Sequence, residues 1–165
     1  MSPPRTLFCA IAILLSLCPA AAAGQTTAPA PLSAELRADV RDGRFAIVTS
    51  VRGLPLGVRD AMQALWGSRT LDIAEPGADF QRTDVMVNPP LPIRRMVAAG
   101  CTRNRCIVYY ERGGFAHTWH VMMFHWTPDA TRFEFGGSAP GGLKTIDAVR
   151  TAILSGAITS DRGRF

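Results

Sequence analysis

Lysine is nearly missing from this chain: of 18 basic residues, Lys144 is the one lysine and the other 17 are arginines, scattered along 165 residues rather than gathered in blocks. Without a basic block or an interleaved lysine and aromatic stripe there is no electrostatic footprint for nucleic acid, and scattered arginine in an alanine-rich chain reads as a compositional bias. Cysteine is as sparse. Cys9 and Cys18 fall in an N-terminal apolar stretch, which leaves Cys101 and Cys106. Their spacing lacks the Cys-x-x-Cys of redox and zinc motifs, and no second ligand pair accompanies them, so neither chemistry is expected. No apolar run approaches the roughly 20 residues of a spanning helix. A phosphate-cradling glycine fingerprint is missing too. The nearest approach to a nucleophile elbow, GGSAPGG from Gly136 to Gly142, has Pro140 where the last glycine of Gly-x-Ser-x-Gly belongs.

What the N-terminus does have is an export signal. Arg5 precedes the apolar run LFCAIAILLSLC, and the small residues of PAAAAGQ follow. This order predicts a secretory signal peptide over residues 1–23, cleaved after Ala23. A lipid-attachment reading at Cys18 is the weaker alternative, because Leu17 stands where processing prefers a small residue. Removing 23 of 165 residues leaves 142, with Arg5 gone and a net charge of about +4. That length fits one domain burying roughly two thirds of its unfolded-chain surface. Residues 24–33, GQTTAPAPLS, read as a flexible tether, and 34–165 as a single α+β domain. The terminal Phe165 resembles the last residue of an outer-membrane barrel strand, but Gly163, Asp161 and Thr159 lack the alternating apolar pattern such a strand needs.

Within the domain, SAELRADVRDGRFAIVTSV supports two readings. Leu36 and Val40 suggest a short helix, whereas Asp42-Gly43 between alternating runs suggests a hairpin. Pro55 opens a helix with Val58, Met62 and Leu65 as its apolar stripe and Gly67 as its stop. RTLDIAEPG predicts a short strand ending at Pro76-Gly77, and residues 87–92, VNPPLP, a stiff connector. A second helix is expected over residues 143–156, with Leu143, Ile146, Val149 and Ile153 on one face. Between the helices lies an antiparallel meander over residues 93–126, with a further strand at TRFEF. The fold class expected is α+β, a meander of four or more strands with one or two helices packed on one face.

Turn chemistry sets a register for that meander. Gly113-Gly114 predicts a two-residue hairpin that pairs Arg112 with Phe115, Tyr110 with His117 and Cys106 with Val121. Cys101 and Cys106 enclose a four-residue loop, which sets Ala99 opposite Val108 and Val97 opposite Tyr110. The two cysteines then face each other and should form a disulfide, as suits an exported protein. All three histidines lie in the following strand. Alternation sends His117 and His125 one way and His120 the other, with His117 and His125 about 26 Å apart at ~3.3 Å per residue, so one metal ion cannot collect them. The same pairing puts Glu111 about 13 Å from His120 along the strand, which argues against an acid–base dyad between them.

This register divides the meander into two faces. Val97, Ala99, the Cys101–Cys106 pair, Val108, Tyr110, Phe115, Trp119, Val121 and Met123 form the more apolar one, expected to lie under the helices. Arg94, Met96, Tyr109, Glu111, Thr118, His120, Phe124 and Trp126 form the other, whose mix of aromatics and hydrogen-bonding groups suits recognition. The candidate binding residues are therefore Arg94, Tyr109, Glu111, Thr118, His120 and Trp126, centred on Tyr109 and His120. No catalytic residue, metal or cofactor is predicted. The leading expectation is an exported, non-catalytic binding module, periplasmic or secreted, acting on a protein or small ligand. The alternative is a small exported hydrolase with a site assembled from distant residues. A carboxylate or serine hydrogen-bonded to a histidine in a cleft would favour the enzyme, and an open aromatic sheet face the binder.

Overall fold

The computed structural model describes residues 32–85 and 89–160; the expected signal peptide, nearly all of the tether, part of the proline connector and Phe165 lie outside them. The ambiguous first segment is a helix, α1 (Ala34–Asp42). The Ser33 hydroxyl caps it by accepting from the Leu36 N–H at 3.2 Å, and Leu36 and Val40 bury one face. Asp42-Gly43 ends this helix rather than turning a hairpin, because the Gly43 N–H closes the last turn on the Asp39 carbonyl at 2.9 Å. A short edge strand, β1 (Ala46–Val48), follows. Helix α2 (Leu56–Trp66) starts behind Pro55 and stops at Gly67, whose left-handed φ of 62° suits glycine. Val58 and Met62 are buried as expected, but Leu65 is 41% exposed and Trp66 packs in its place. The strand expected in RTLDIAEPG shrinks to a single parallel bridge, Ala74 to Arg95, before the Pro76-Gly77 turn.

Four long strands make the meander: β2 (Arg94–Cys101), β3 (Arg105–Arg112), β4 (Thr118–Trp126) and β5 (Thr131–Ala139). Helix α3 (Ile146–Leu154), capped by the Thr145 hydroxyl, and a two-residue strand β6 (Thr159–Ser160) close the chain. The sheet has six antiparallel strands in sequence order, β1-β2-β3-β4-β5-β6. Together with three helices this is the α+β meander expected. Cys101 and Cys106 are directly paired, with sulfurs 2.06 Å apart and Cα atoms 4.1 Å apart.

The expected register survives at the disulfide and fails at the other end of the hairpins. Ala99 does oppose Val108, but a bulge between Met96 and Ala98 puts Met96, not Val97, opposite Tyr110. The β3–β4 connection is a five-residue loop, 113–117, so Arg112 pairs with Thr118, Tyr110 with His120 and Cys106 with Phe124. The two glycines are put to different uses. A type I′ turn needs positive φ at both central residues, and only Gly114 has it, at 102°. Gly113 lacks a side chain because the chain at Gln81 and Arg82 passes against it: a Cβ there would stand 1.9 Å from the Gln81 carbonyl oxygen. An odd slip exchanges the faces of every side chain in a strand relative to its neighbour.

Both faces of the sheet are covered. On one, α2 packs Val58 and Met62 against Met96, Ala99, Cys106, Val108, Tyr110, Met122 and Phe124. On the other, α1 and α3 bring Leu36, Val40, Ile146, Val149 and Ile153 onto Ile107, Tyr109, Val121 and Met123. The two helices expected to pack on one face, α2 and α3, lie on opposite faces: α3 shares its face with α1, and α2 covers most of the face expected to be open. Strand β3 is consequently buried on both sides, with Cys106, Ile107, Val108, Tyr109 and Tyr110 all 0% exposed.

Candidate functional site

The six candidate binding residues part company. Arg94, Thr118, His120 and Trp126 do share the α2 face, but Tyr109 and Glu111 point to the α1–α3 face, because β3 is displaced from the expected pairing by an odd number of residues on each side, three against β4 and one against the start of β2. Neither face is an open recognition surface: Arg94, Tyr109, Glu111 and His120 are each 6% exposed or less. On the α2 side, Arg94 and His120 belong to a row that runs through the interior. The Arg94 guanidinium lies 4.2 Å from the Trp66 ring and 3.1 Å from Asp72 Oδ2. Trp66 meets Tyr110 edge-on at 5.4 Å, and Tyr110 stacks on His120 at 5.3 Å. Burial pushes the Tyr110 hydroxyl up and, with help from neighbouring Arg112, pulls the Arg94 guanidinium down.

Tyr109, the expected centre, is a core residue whose hydroxyl donates to the Pro140 carbonyl at 2.8 Å. Burial, with the Glu111 carboxylate adding to it, pushes its hydroxyl up to about 12. The folded state therefore holds this proton more tightly than the unfolded chain, where tyrosine titrates near 10. Its contribution is complete below pH 10 and is lost as the pH rises from 10 to 12. Urea unfolding should accordingly show wild type losing on the order of 2 kcal/mol more than Tyr109→Phe across that window; parallel losses in both proteins would remove Tyr109 as the source.

Two arrangements at the β3–β4 loop were not legible in the sequence. The first is a cavity of about 360 Å³ lined by Ile93, Arg112, Gly113, Gly114, Phe115, Ala116, Thr118, His120 and Ser138. Phe115 stands at its mouth, 98% exposed. Ser138 opposes His120 across β4 and β5, and His120 Nε2 shares a 2.8 Å hydrogen bond with the Thr118 hydroxyl. The Gly113-Gly114 pair is the local signal here; taken as a tight turn it puts Phe115 on the covered face, whereas the longer loop leaves it exposed.

The second lies on the opposite face. Glu111 is cross-strand partner to Arg95 on one side and Trp119 on the other. One carboxylate oxygen takes the Arg95 guanidinium at 2.6 Å and the other meets His117 Nε2 at 2.6 Å. The imidazole stacks on Trp119 at 4.4 Å and touches Phe80 at 5.8 Å, with its side chain 37% exposed. Glu111 and His120 are on opposite faces, and the histidine that the acid meets is His117. The third, His125, contacts the Arg105 guanidinium at the far end of β4. His117 and His125 do share a face and His120 takes the other, as strand alternation requires. Among the described residues, no group of three or more His, Cys, Asp or Glu side chains is placed to hold a metal ion.

A second cavity, also about 360 Å³, lies between α1 and β5, lined by Ser33, Glu35, Leu36, Arg105, Arg132, Phe133 and Glu134. Its charges compensate one another: Arg105 reaches Asp39 at 2.9 Å, Glu134 at 2.9 Å and Glu35 at 3.4 Å. It ties the helix to the sheet. Compared with protein-family models, with curated proteins and with solved structures, the chain matches none of them.

Proposed function

We propose that the protein is a small exported binding module, non-catalytic, that receives its ligand at the end of the sheet where the β3–β4 loop turns. The observation that carries this reading is the cavity under Phe115: a concave wall of Ile93, Ala116 and glycine backbone with a few converging polar groups, and a fully exposed aromatic at its lip. Ligand sites combine apolar walls with sparse, placed polar groups in this way, and an exposed aromatic beside a pocket is the usual anchor of a recognition surface. The disulfide, and the fact that no described helix is long and apolar enough to cross a membrane, are compatible with export. A fragment screen read by amide NMR shifts should find binders that move Gly114, Phe115, Thr118 and Ser138. Phe115→Ala should weaken them at least tenfold, with stability held within about 0.5 kcal/mol, as for other surface substitutions. Hits that cluster elsewhere on the molecule contradict the assignment.

A second reading, a small hydrolase, is favoured by one contact, Glu111 with His117. A carboxylate that holds one ring nitrogen of a half-exposed imidazole orients the other for proton transfer. On this reading the protein hydrolyses an activated aryl ester faster than free imidazole does, and His117→Ala abolishes the excess. A rate equal to that of imidazole rejects the enzyme.

A further inference from the structure

We infer that Phe115 is a lid, which closes over the cavity when a planar apolar ring compound enters it; this rests on the cavity being the binding site. The loop that carries Phe115 is fixed at both ends. At one end the Gly113 N–H donates to the Ile93 carbonyl at 2.9 Å, with the chain at Gln81 and Arg82 packed where a side chain would stand. At the other, His117 is held by Glu111 at 2.6 Å and stacked on Trp119 at 4.4 Å. Between these anchors, no hydrogen bond to another described residue holds Gly114, Phe115 or Ala116. Gly114 has a φ of 102°, and glycine passes between positive and negative φ without the penalty a Cβ imposes, so the tip carries a hinge immediately before Phe115. The hinge has room to turn: apart from its chain neighbours, a Cβ on Gly114 would meet only Ile93 Cδ1, at 3.7 Å. The Phe115 ring is 98% exposed beside an apolar wall of Ile93 and Ala116. A ligand lying against Ile93 therefore offers that ring an apolar surface to cover, which removes both from water. A planar ring offers the most, because aromatic pairs gain contact energy beyond the area they bury. At about 360 Å³ the cavity is near the small end of ligand sites, which suits a small ring compound.

The test uses the full disulfide-bonded mature chain and two uncharged probes of similar size, p-cresol, which is planar, and 4-methylcyclohexanol, which is puckered. Titrations followed by amide NMR shifts should show p-cresol perturbing Gly114, Thr118 and Ser138, and the saturated alcohol binding there about fivefold more weakly, the size of effect expected for a lost aromatic pair. Nuclear Overhauser contacts should join the p-cresol ring protons to the Ile93 methyl groups and to the Phe115 ring together. A soluble gadolinium chelate should broaden the Phe115 ring signals strongly in the free protein, and saturation with p-cresol should cut that broadening at least by half. Phe115→Leu, which keeps an apolar side chain and loses the ring, should bring p-cresol down to the level of the alcohol. A p-cresol molecule in contact with Ile93 while Phe115 stays as open to the chelate as before would overturn the lid and leave the site standing. Equal binding of the two probes would overturn the planar ring as the ligand class, and no shift at these residues with either probe overturns lid and site together.

Discussion

Tyr109→Ala should destabilise the protein by about 3–5 kcal/mol, the cost of truncating a fully buried aromatic and leaving a cavity behind. The sequence reading placed Tyr109 on an open face, where the same substitution would leave stability nearly intact. In the structure its ring is 0% exposed in a strand covered on both sides, packed among Ile107, Val121, Met123, Ile146 and Val149. The hydroxyl adds one hydrogen bond, to the Pro140 carbonyl at 2.8 Å, which holds the loop after β5 against the sheet. Tyr109→Phe keeps the ring and should lose only about 1 kcal/mol. Chemical denaturation of the two variants checks both figures. A cost below 1 kcal/mol for the alanine variant would mean that this face of β3 is open after all.

The second large effect is expected at Arg105. Its guanidinium, on a side chain 6% exposed, gathers Asp39 and Glu35 from α1 and Glu134 from β5, whose own side chain is 12% exposed. Removing one member of a buried ion pair leaves the other uncompensated in a poor solvent, at a cost of several kcal/mol. Arg132 stays on the other oxygen of Glu134 at 2.8 Å, and Asp39 and Glu35 can turn to water, so Arg105→Met should cost about 3 kcal/mol, the lower end of that range. Neutralising the stranded acid should restore part of it: Arg105→Met with Glu134→Gln should be at least 1 kcal/mol more stable than Arg105→Met alone. Strict additivity of the two substitutions would show that the carboxylate and guanidinium do not interact.

How far the candidate site was legible follows from which residues carried a local signal. Thr118, His120 and Trp126 were grouped correctly, because within one strand alternation alone decides the face; Arg94, in β2, joins them because the odd slips on the two sides of β3 cancel. Tyr109 and Glu111 were not, because strand-to-strand grouping needs the register. The register was inferred from two turns, and one of them misled. Phe115, Ser138 and His117 were missed for a related reason. Each draws its role from the five-residue loop, where Gln81 and Arg82, more than thirty positions earlier in the chain, pass so close to Gly113 that no side chain fits.

The sequence by itself determined the elements whose causes are local. The helix stop at Gly67 follows from glycine's left-handed backbone, the helix over residues 146–154 from its apolar spacing, and the Cys101–Cys106 pairing from a loop too short to place those residues anywhere but opposite each other. The α+β class follows from their order. Only the tertiary structure decided the rest: that α1 and α3 cover one face and α2 the other, that β3 is buried twice over, that Glu111 meets His117, and that the loop after Arg112 opens a cavity rather than a tight turn. A turn-type preference is worth about a kilocalorie. The close approach of a distant segment and the burial of a whole strand face are worth several, so where the two disagree the packing prevails and the register moves to suit it.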